Sequence, residues 1–394
     1  MRSNRASAAW DNLDFFCKNL PTKFDPNKGK ILVTGASGYI GGRLVPELLA
    51  RGYSVRVMVR GMSPEYSSRW PDAEIAVADA HDIKSLKIAF KDIDAAYYLI
   101  HSLHLGPKEF ASADMQAASN FRKAAEEMKV KRIIYLGGLG DIRESLSSHL
   151  RSRAEVAEEL KKGKVPVTIL RAAVIVGSGS ASYEIIYNLV KRLRIILIPD
   201  WANNKCQPIA IRDVIKYLVI ALETPQTTGQ SFDVGGEDIL TYQIMLKVLA
   251  KVIRKKIIFI PVPFLSIRFY AYCTSLLTPV PASITGCLVE GLKNEVVCQN
   301  QSIRDIAPFK TLAYKEAVIR AMSREEQDRV YTRWSDAYPP AHVLALKLRE
   351  LKKGPAYVAR YSLITWKKAD SLFNSICKIG GKEGWFHSNW LWRL

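Results

Sequence analysis

Two stretches of this 394-residue chain carry residue types at spacings that could do chemistry. The first is Thr34-Gly35-Ala36-Ser37-Gly38-Tyr39-Ile40-Gly41-Gly42, set between the apolar run Ile31-Leu32-Val33 and the helix-like Arg43-Leu44-Val45-Pro46-Glu47-Leu48-Leu49. A buried strand, a glycine turn and a helix start are what a dinucleotide pyrophosphate needs. Gly35 allows the tight turn, Gly38 lets backbone approach phosphate, and Gly41 lets the helix pack close to the strand. The first-turn amides and the helix dipole then face the anion. Gly35, Ser37, Gly38, Tyr39, Ile40 and Gly41 form this cofactor cradle. Pro46 is expected to kink the helix or shorten its first turns.

The second stretch is His149-Leu150-Arg151-Ser152-Arg153. His149 and Arg153 are four apart and share one helix face. An imidazole titrates near neutrality and can move the proton that accompanies a hydride. Arg153 can hold a ribose or an anionic substrate, and its fixed charge lowers the pKa of a nearby imidazolium. A structural account is also open, with His149 at a helix N-terminus after Ser147-Ser148 and Arg153 paired with Glu155 or Glu158. Ser102 and Tyr183 stand behind these two as catalytic candidates. The six histidines form no metal motif, and no nucleophile elbow or phosphate-binding P-loop occurs, so no metal is expected.

Cofactor choice turns on the end of the second strand. An acid there takes both ribose hydroxyls of NAD. Here the position is Arg60, followed by Gly61, and a guanidinium suits a 2′-phosphate through charge-assisted bonds. Arg43 could assist. NADP is the favoured cofactor and NAD the alternative.

These side chains need a scaffold. From Lys30 to about Leu240, strand-like runs alternate with helix-like segments, the pattern of an α/β, doubly wound parallel sheet. Six strands are expected: Ile31–Val33, Ser54–Arg60, Glu74–Asp79, Ala95–Ile100, Arg132–Leu136 and Val167–Arg171. Helices are expected near Ile83–Phe90, Glu109–Met128 and Leu150–Lys161. The domains read as an N-terminal tail (1–29), a nucleotide-binding domain (30–240), a smaller α/β cap (241–338) and a C-terminal piece (339–394) after Pro339-Pro340. That last piece offers one strand-like run (Ala356–Ile364), one amphipathic helix (Ala369–Ile379) and an aromatic end, too little to bury itself alone.

Hydrophobic residues make up 48% and charged residues 24%, enough for a sizeable core. Six scattered cysteines without a C-x-x-C pair fit a reducing, cytoplasmic setting. The basic N-terminus lacks the apolar core of a signal peptide. Ile257–Leu277 is broken by Pro261, Pro263 and Arg268, so a single spanning helix is not expected; a buried cap helix or a peripheral membrane contact are the readings there. Of the net charge of +19, ten Lys/Arg against three Asp/Glu lie between His342 and Leu394. Elsewhere the cations are dispersed, without the interleaved aromatics of a nucleic-acid motif, so nucleic acid is not an expected partner.

With these residues in place, the chain resembles the atypical short-chain dehydrogenase/reductase superfamily, NAD(P)-binding Rossmann proteins that include NmrA-like regulators and a nucleotide-binding subunit of respiratory complex I. The glycine turn carries most of the resemblance. Gln207-Pro208-Ile209-Ala210-Ile211-Arg212-Asp213-Val214 and Ser231-Phe232-Asp233-Val234-Gly235-Gly236 add a return from cap to core and a late strand. Tyr97–Leu103, Tyr135–Gly140, Ser148–Arg153 and Leu170–Ser180 resemble a bacterial subgroup of oxidoreductases in which a DUF2867 (START-like) domain follows the Rossmann part. This implies that Gly380–Trp385 opens such a domain and that the chain stops within it. The resemblance also puts Asp79 and Ala80 at the adenine, and Ile100 and His101 along the nicotinamide pocket. The superfamily's enzymes use a Ser at the end of the fifth strand and a Tyr-x-x-x-Lys on the next helix. Here those positions hold Gly137-Gly138-Leu139 and His149–Arg153. Two functions follow: an NADP-dependent oxidoreductase on an unidentified small molecule, or a dinucleotide-binding sensor or assembly factor without turnover.

Overall fold

The computed structural model describes residues 15–63, 65–102, 109–140, 146–263, 266–326, 332–337 and 367–378. The run Ala356–Ile364, Pro339-Pro340, the segment Gly380–Trp385 with the aromatic end, and the tail to residue 14 lie outside the described residues. Residues Met1–Ala341 form one compact unit and His342–Leu394 another. In the second unit the described helix is Ala369–Cys377.

The strands are β1 (Lys30–Val33), β2 (Ser54–Val59), β3 (Glu74–Val77), β4 (Ile93–Tyr98), β5 (Arg132–Gly138), β6 (Val167–Ala172), β7 (Ile175–Val176), β8 (Ile195–Ile198), β9 (Lys205–Cys206), β10 (Ile209–Ala210), β11 (Ser231–Val234), β12 (Leu240–Thr241) and β13 (Ile258–Pro261). Seven of them make one parallel sheet in the order β11-β6-β5-β4-β1-β2-β3. To the six strands expected from apolar runs the sheet adds β11, the late strand that the resemblance places at Ser231–Gly236; it pairs with β6 from Ser231↔Ile169 to Val234↔Ala172. The strand order reverses between β1 and β4, and ligand crevices of such sheets open beyond the strands' carboxyl ends at that point.

Alternating strand residues feed two cores. Ile31, Val33 and Tyr97 face one layer, with Leu44 and Leu48 of α1 (Gly41–Ala50) and Leu218 of a later helix, Ile211–Glu223. Leu32, Ala96 and Tyr98 face the other, with Phe90, Phe121 and Leu160. The helices of the second layer include α2 (Ile83–Ala89), α3 (Phe110–Glu127) and α4 (Ser148–Lys161). In α1, Pro46 does not shorten the first turns, since the helix runs ten residues from Gly41 through it. Proline's cost is confined to one missing amide bond and one crowded carbonyl, and Gly42 at that carbonyl has no side chain to add to the crowding.

The stretch after residue 15 is no loose tail. Cys17 is fully buried, and the Phe16 and Cys17 amides donate to the buried Glu47 carboxylate at 3.1 Å each. The cap also departs from its expected bounds. Its core joins Tyr183, Ile196 and Ile198, which precede β11, to Tyr242, Met245, Leu249 and Val318, which follow it. The chain thus visits the cap twice. The first visit is built by α5 (Ala181–Arg192) and β8; after α6 (Ile211–Glu223) and β11, the second is built by α7 (Tyr242–Val252), β13, α8 (Ile267–Leu277), α9 (Ala282–Gly291) and the helix Tyr314–Glu326.

Candidate functional site: a glycine cradle beside a two-histidine line

The glycine turn leaves β1 at Thr34, whose buried hydroxyl donates to the Tyr97 carbonyl and accepts from the Leu99 amide. Gly35 has φ +63°, and a Cβ there would lie 2.6 Å from the Leu99 carbonyl oxygen. A Cβ on Gly41 would lie 2.4 Å from the Gly35 carbonyl oxygen. Glycine at these two positions lets the turn close against the end of β4 and lets α1 start hard against the turn, the close backbone packing that a dinucleotide-binding turn needs. No side chain caps the N-terminus of α1, whose N-cap is Ile40. The Gly42 amide donates to the Gly38 carbonyl and the Arg43 and Leu44 amides to the Ile40 carbonyl, so an anion at this helix start would meet the amides that precede Gly42.

The remaining cofactor candidates distribute along the same carboxyl edge. Arg60 stands exposed just beyond β2, the strand next to β1. Asp79 follows β3, exposed, with its carboxylate accepting from the His81 amide at 2.9 Å. Ala80 is buried among Leu86 and Phe90, with its carbonyl accepting from Asn120, so it offers packing rather than a polar contact. The Tyr39 ring is buried against Gly177, so its backbone, not its hydroxyl, borders the cradle. Arg43 does not reach toward a 2′-phosphate. Its guanidinium donates to the carbonyls of Tyr39, Thr332 and Ser178 at 3.2, 2.8 and 2.9 Å and lies over the Tyr39 ring.

Beyond β4 and β5 the structure brings His101, Ser102, His149 and Arg153 together and adds Asp114 of α3. Asp114 is 1% exposed; one carboxylate oxygen lies 2.8 Å from His101 Nδ1, and the other accepts from the Ser102 amide at 2.8 Å. His101 Nε2 lies 3.2 Å from His149 Nδ1. Burial works against ionisation of Asp114, but the hydrogen bond and charge of His101, with Arg153, hold its carboxyl below the ordinary range. Burial, reinforced by Arg153, pushes the His101 imidazole down despite Asp114. Burial pushes His149 well down, with His101 and Arg153 adding to it. Both rings are therefore neutral near pH 7.

Neutrality fixes the hydrogen-bond sense. A carboxylate only accepts, so His101 Nδ1 carries the hydrogen and Nε2 is an acceptor. His149 Nδ1 must then donate, which leaves His149 Nε2 with a lone pair. His149 lines an apolar cavity of about 140 Å³ whose other walls include Leu139, Leu150, Ile186, Trp201, Tyr242 and Tyr270. Gly138 borders the same cavity. A neutral imidazole nitrogen with a lone pair can take a proton from a hydroxyl.

Arg153 pairs with neither Glu155 nor Glu158. It donates to the Ile100 carbonyl at 3.4 Å and to the Leu136 carbonyl, and its guanidinium lies 4.8 Å from the Tyr135 ring centre. It thus ties the ends of β4 and β5 and places a fixed cation behind the imidazoles. Ser147, with a side-chain oxygen accepting from the Leu150 amide, caps α4, so His149 does stand in the first turn of a helix, after Ser147-Ser148 as expected. Ser102 is buried beside Asp114. Tyr183 is buried in the cap core, stacked on Tyr187 at 5.6 Å. Asp114 escaped the sequence reading, although it left a signal: it is a carboxylate on the buried stripe Phe110, Ala117, Ala118, Phe121 of a core helix.

A model of the NmrA-like family matches residues 27–277. The chain belongs to the NmrA-like family. This sets it within the NAD(P)-binding Rossmann superfamily of atypical short-chain dehydrogenases and reductases. Over 240 residues it is 26% identical to the Arabidopsis thaliana mitochondrial NADH dehydrogenase [ubiquinone] 1 alpha subcomplex subunit 9, covering 59% of this chain and 60% of that subunit. The chain therefore spans less than two thirds of the length of that curated relative. Among solved structures, the Citrobacter sp. triphenylmethane reductase complexed with NADP(H) superposes with a TM-score of 0.60 at 19% identity, covering 74% of this chain and 99% of the reductase. The Bordetella bronchiseptica enzyme WbmG in complex with NAD superposes with a TM-score of 0.59 at 16% identity, covering 78% of this chain and 96% of the enzyme. At these identities the two structures share the fold with this NmrA-like chain, and between them they hold both forms of the dinucleotide.

Proposed function

We propose that this NmrA-like protein is an NADP-dependent oxidoreductase that interconverts an apolar alcohol and its carbonyl compound. The observation that carries the reading is the Asp114–His101–His149 line, which ends in an apolar cavity. A bound nicotinamide would supply the hydride acceptor or donor. Gly35, Ser37, Gly38, Tyr39, Ile40 and Gly41 would hold its pyrophosphate, Arg60 its 2′-phosphate and Asp79 its adenine end.

In the oxidation direction, His149 Nε2 takes the hydroxyl proton and the ring becomes an imidazolium. Its Nδ1–H remains on His101 Nε2, and Asp114 steadies the positive charge through His101. Burial, with His101 and Arg153 adding to it, disfavours that charge, so the imidazolium returns its proton readily to a carbonyl oxygen in the reverse direction. The arrangement resembles a serine-enzyme triad only in logic: an acid orients one imidazole, which orients the next. The cavity walls exclude water and select apolar substrates.

Three measurements test this. Calorimetry should give tighter binding of NADP than of NAD, with the order lost in Arg60→Asp; tighter NAD binding rejects the assignment of Arg60. A crystal with NADPH should place the nicotinamide C4 near His149 with the apolar cavity open beside it; a His149 far from that ring rejects its catalytic role. A screen of hydrophobic alcohols and aldehydes, followed by NADPH absorbance, should find turnover that His149→Asn abolishes.

The second reading is a dinucleotide-binding sensor or assembly factor. It is favoured by Gly137-Gly138-Leu139 and His149–Arg153 standing where the superfamily's catalytic Ser, Tyr and Lys would be. Tight NADP binding with no turnover in that screen would select it.

A further inference from the structure

The two-stranded parallel sheet of β8 and β13 turns an apolar face outward. Ile195 pairs with Ile258 and Leu197 with Ile260, and all four side chains are on the same side. They are 50, 62, 39 and 40% exposed respectively, while Ile196 and Ile198 on the opposite side are buried in the cap core. Because the strands are parallel, both begin at one end, and both beginnings are basic. Lys191, Arg192 and Arg194 precede β8, and Arg254, Lys255 and Lys256 precede β13. The two groups touch: Lys255 Nζ donates to the Lys191 carbonyl at 2.5 Å, and the Ile258 amide donates to the Arg194 carbonyl at 2.9 Å. No Asp or Glu occurs from Ile185 to Pro199 or from Ile239 to Val289. Cations that are dispersed along the sequence are thus gathered by the fold beside four exposed aliphatic side chains.

We propose that this face docks on an anionic lipid surface, with Ile195, Leu197, Ile258 and Ile260 entering the headgroup–acyl boundary and the cations at the strand starts resting on the headgroup charge. Charge decides the occupant. A second copy paired through the same face would offer these cations no acidic partner, since the two segments that build the face carry no Asp or Glu. A nucleic-acid backbone would engage the cations and leave the aliphatics without partners. A bilayer with acidic headgroups matches both halves, as interfacial segments with basic rims and apolar faces do.

Flotation of the 394-residue chain with phosphatidylcholine vesicles, with and without phosphatidylglycerol, tests the proposal. The bound fraction should rise about tenfold or more with the anionic lipid and fall at high salt, as expected of several cations near a charged surface. Ile195→Ser/Ile258→Ser and Arg192→Glu/Lys256→Glu should each lower vesicle binding about tenfold while leaving circular dichroism and NADP binding unchanged. The proposal is overturned by an absence of flotation at low salt, by equal flotation with neutral and anionic vesicles, or by unchanged flotation of the two variants. A wild-type dimer that does not float and that Ile195→Ser/Ile258→Ser converts to monomer would instead make the face a contact between copies.

Discussion

Asp114 sets the sense of both hydrogen bonds in the line that reaches the cavity, and its amide analogue tests that role. Asp114→Asn should keep the fold but let His101 take the wrong tautomer, lowering kcat by about 10²-fold or more with a smaller change in KM. The histidines also give a pH signature. Both are pushed below the ordinary value of 6.5, so the folded chain binds fewer protons there than the unfolded chain. Their contribution to stability is present above that pH and is lost on acidification toward the lowered values. Oxidation should therefore hold level through neutral pH and fall only on acidification. Arg153→Gln, by removing one cause of the depression, should move the midpoint of that fall to higher pH, as a rate–pH profile would record. His149 and Arg153 were legible because four-residue spacing fixes a shared helix face. Asp114 was not singled out, because an acid inside an apolar stripe becomes informative only once the partner across the strand ends is known.

At the scale of elements, the tie between α1 and α6 is the most exacting. Arg51 Nε and a terminal nitrogen each lie 2.6 Å from the two Glu223 oxygens, with Tyr53 and Thr22 hydroxyls on the same carboxylate. Glu223 is 8% exposed, so Glu223→Gln, which leaves Arg51 without its counter-charge, should cost about 3–5 kcal/mol in urea unfolding. Gly35→Ala, which forces a side chain into a left-handed backbone and onto the Leu99 carbonyl, should cost about 1–3 kcal/mol and abolish dinucleotide binding in the same preparation. The sheet itself was largely written in the sequence, since parallel strands buried on both faces appear as continuous apolar runs. β11 was harder to count: it is four residues long and carries Asp233, whose carboxylate is spent on Arg171 and the Gln299 and Asn300 amides. The two visits to the cap left no compositional break, because α5 and β8 follow β6 with the same alternation of helix and strand.

At the scale of the whole molecule, the net charge of +19 separates into surfaces with different work. Arg60 stands at the carboxyl edge of the sheet, Arg51 and Arg153 belong to buried ties, and the cations of the β8–β13 face lie outside. If Arg60 reads a 2′-phosphate, NADP should raise the melting temperature more than NAD at equal concentration. Saturation at a hundredfold excess over Kd corresponds to about 2.7 kcal/mol, and differential scanning fluorimetry with both nucleotides would measure the difference.

Residues 332–337 bridge two parts of the main unit. Thr332 donates to the Tyr39 carbonyl and accepts from Arg43, while the Trp334 amide donates to Gly179 at 2.8 Å and Asp336 lies 3.9 Å from Arg69. Trp334 also packs on Ile185, Leu189 and Ile284 of the cap. This short stretch therefore staples the cap to the glycine turn, so whatever orders the turn is passed on to the cap. Deuterium uptake at the Trp334 amide should slow when nucleotide is bound.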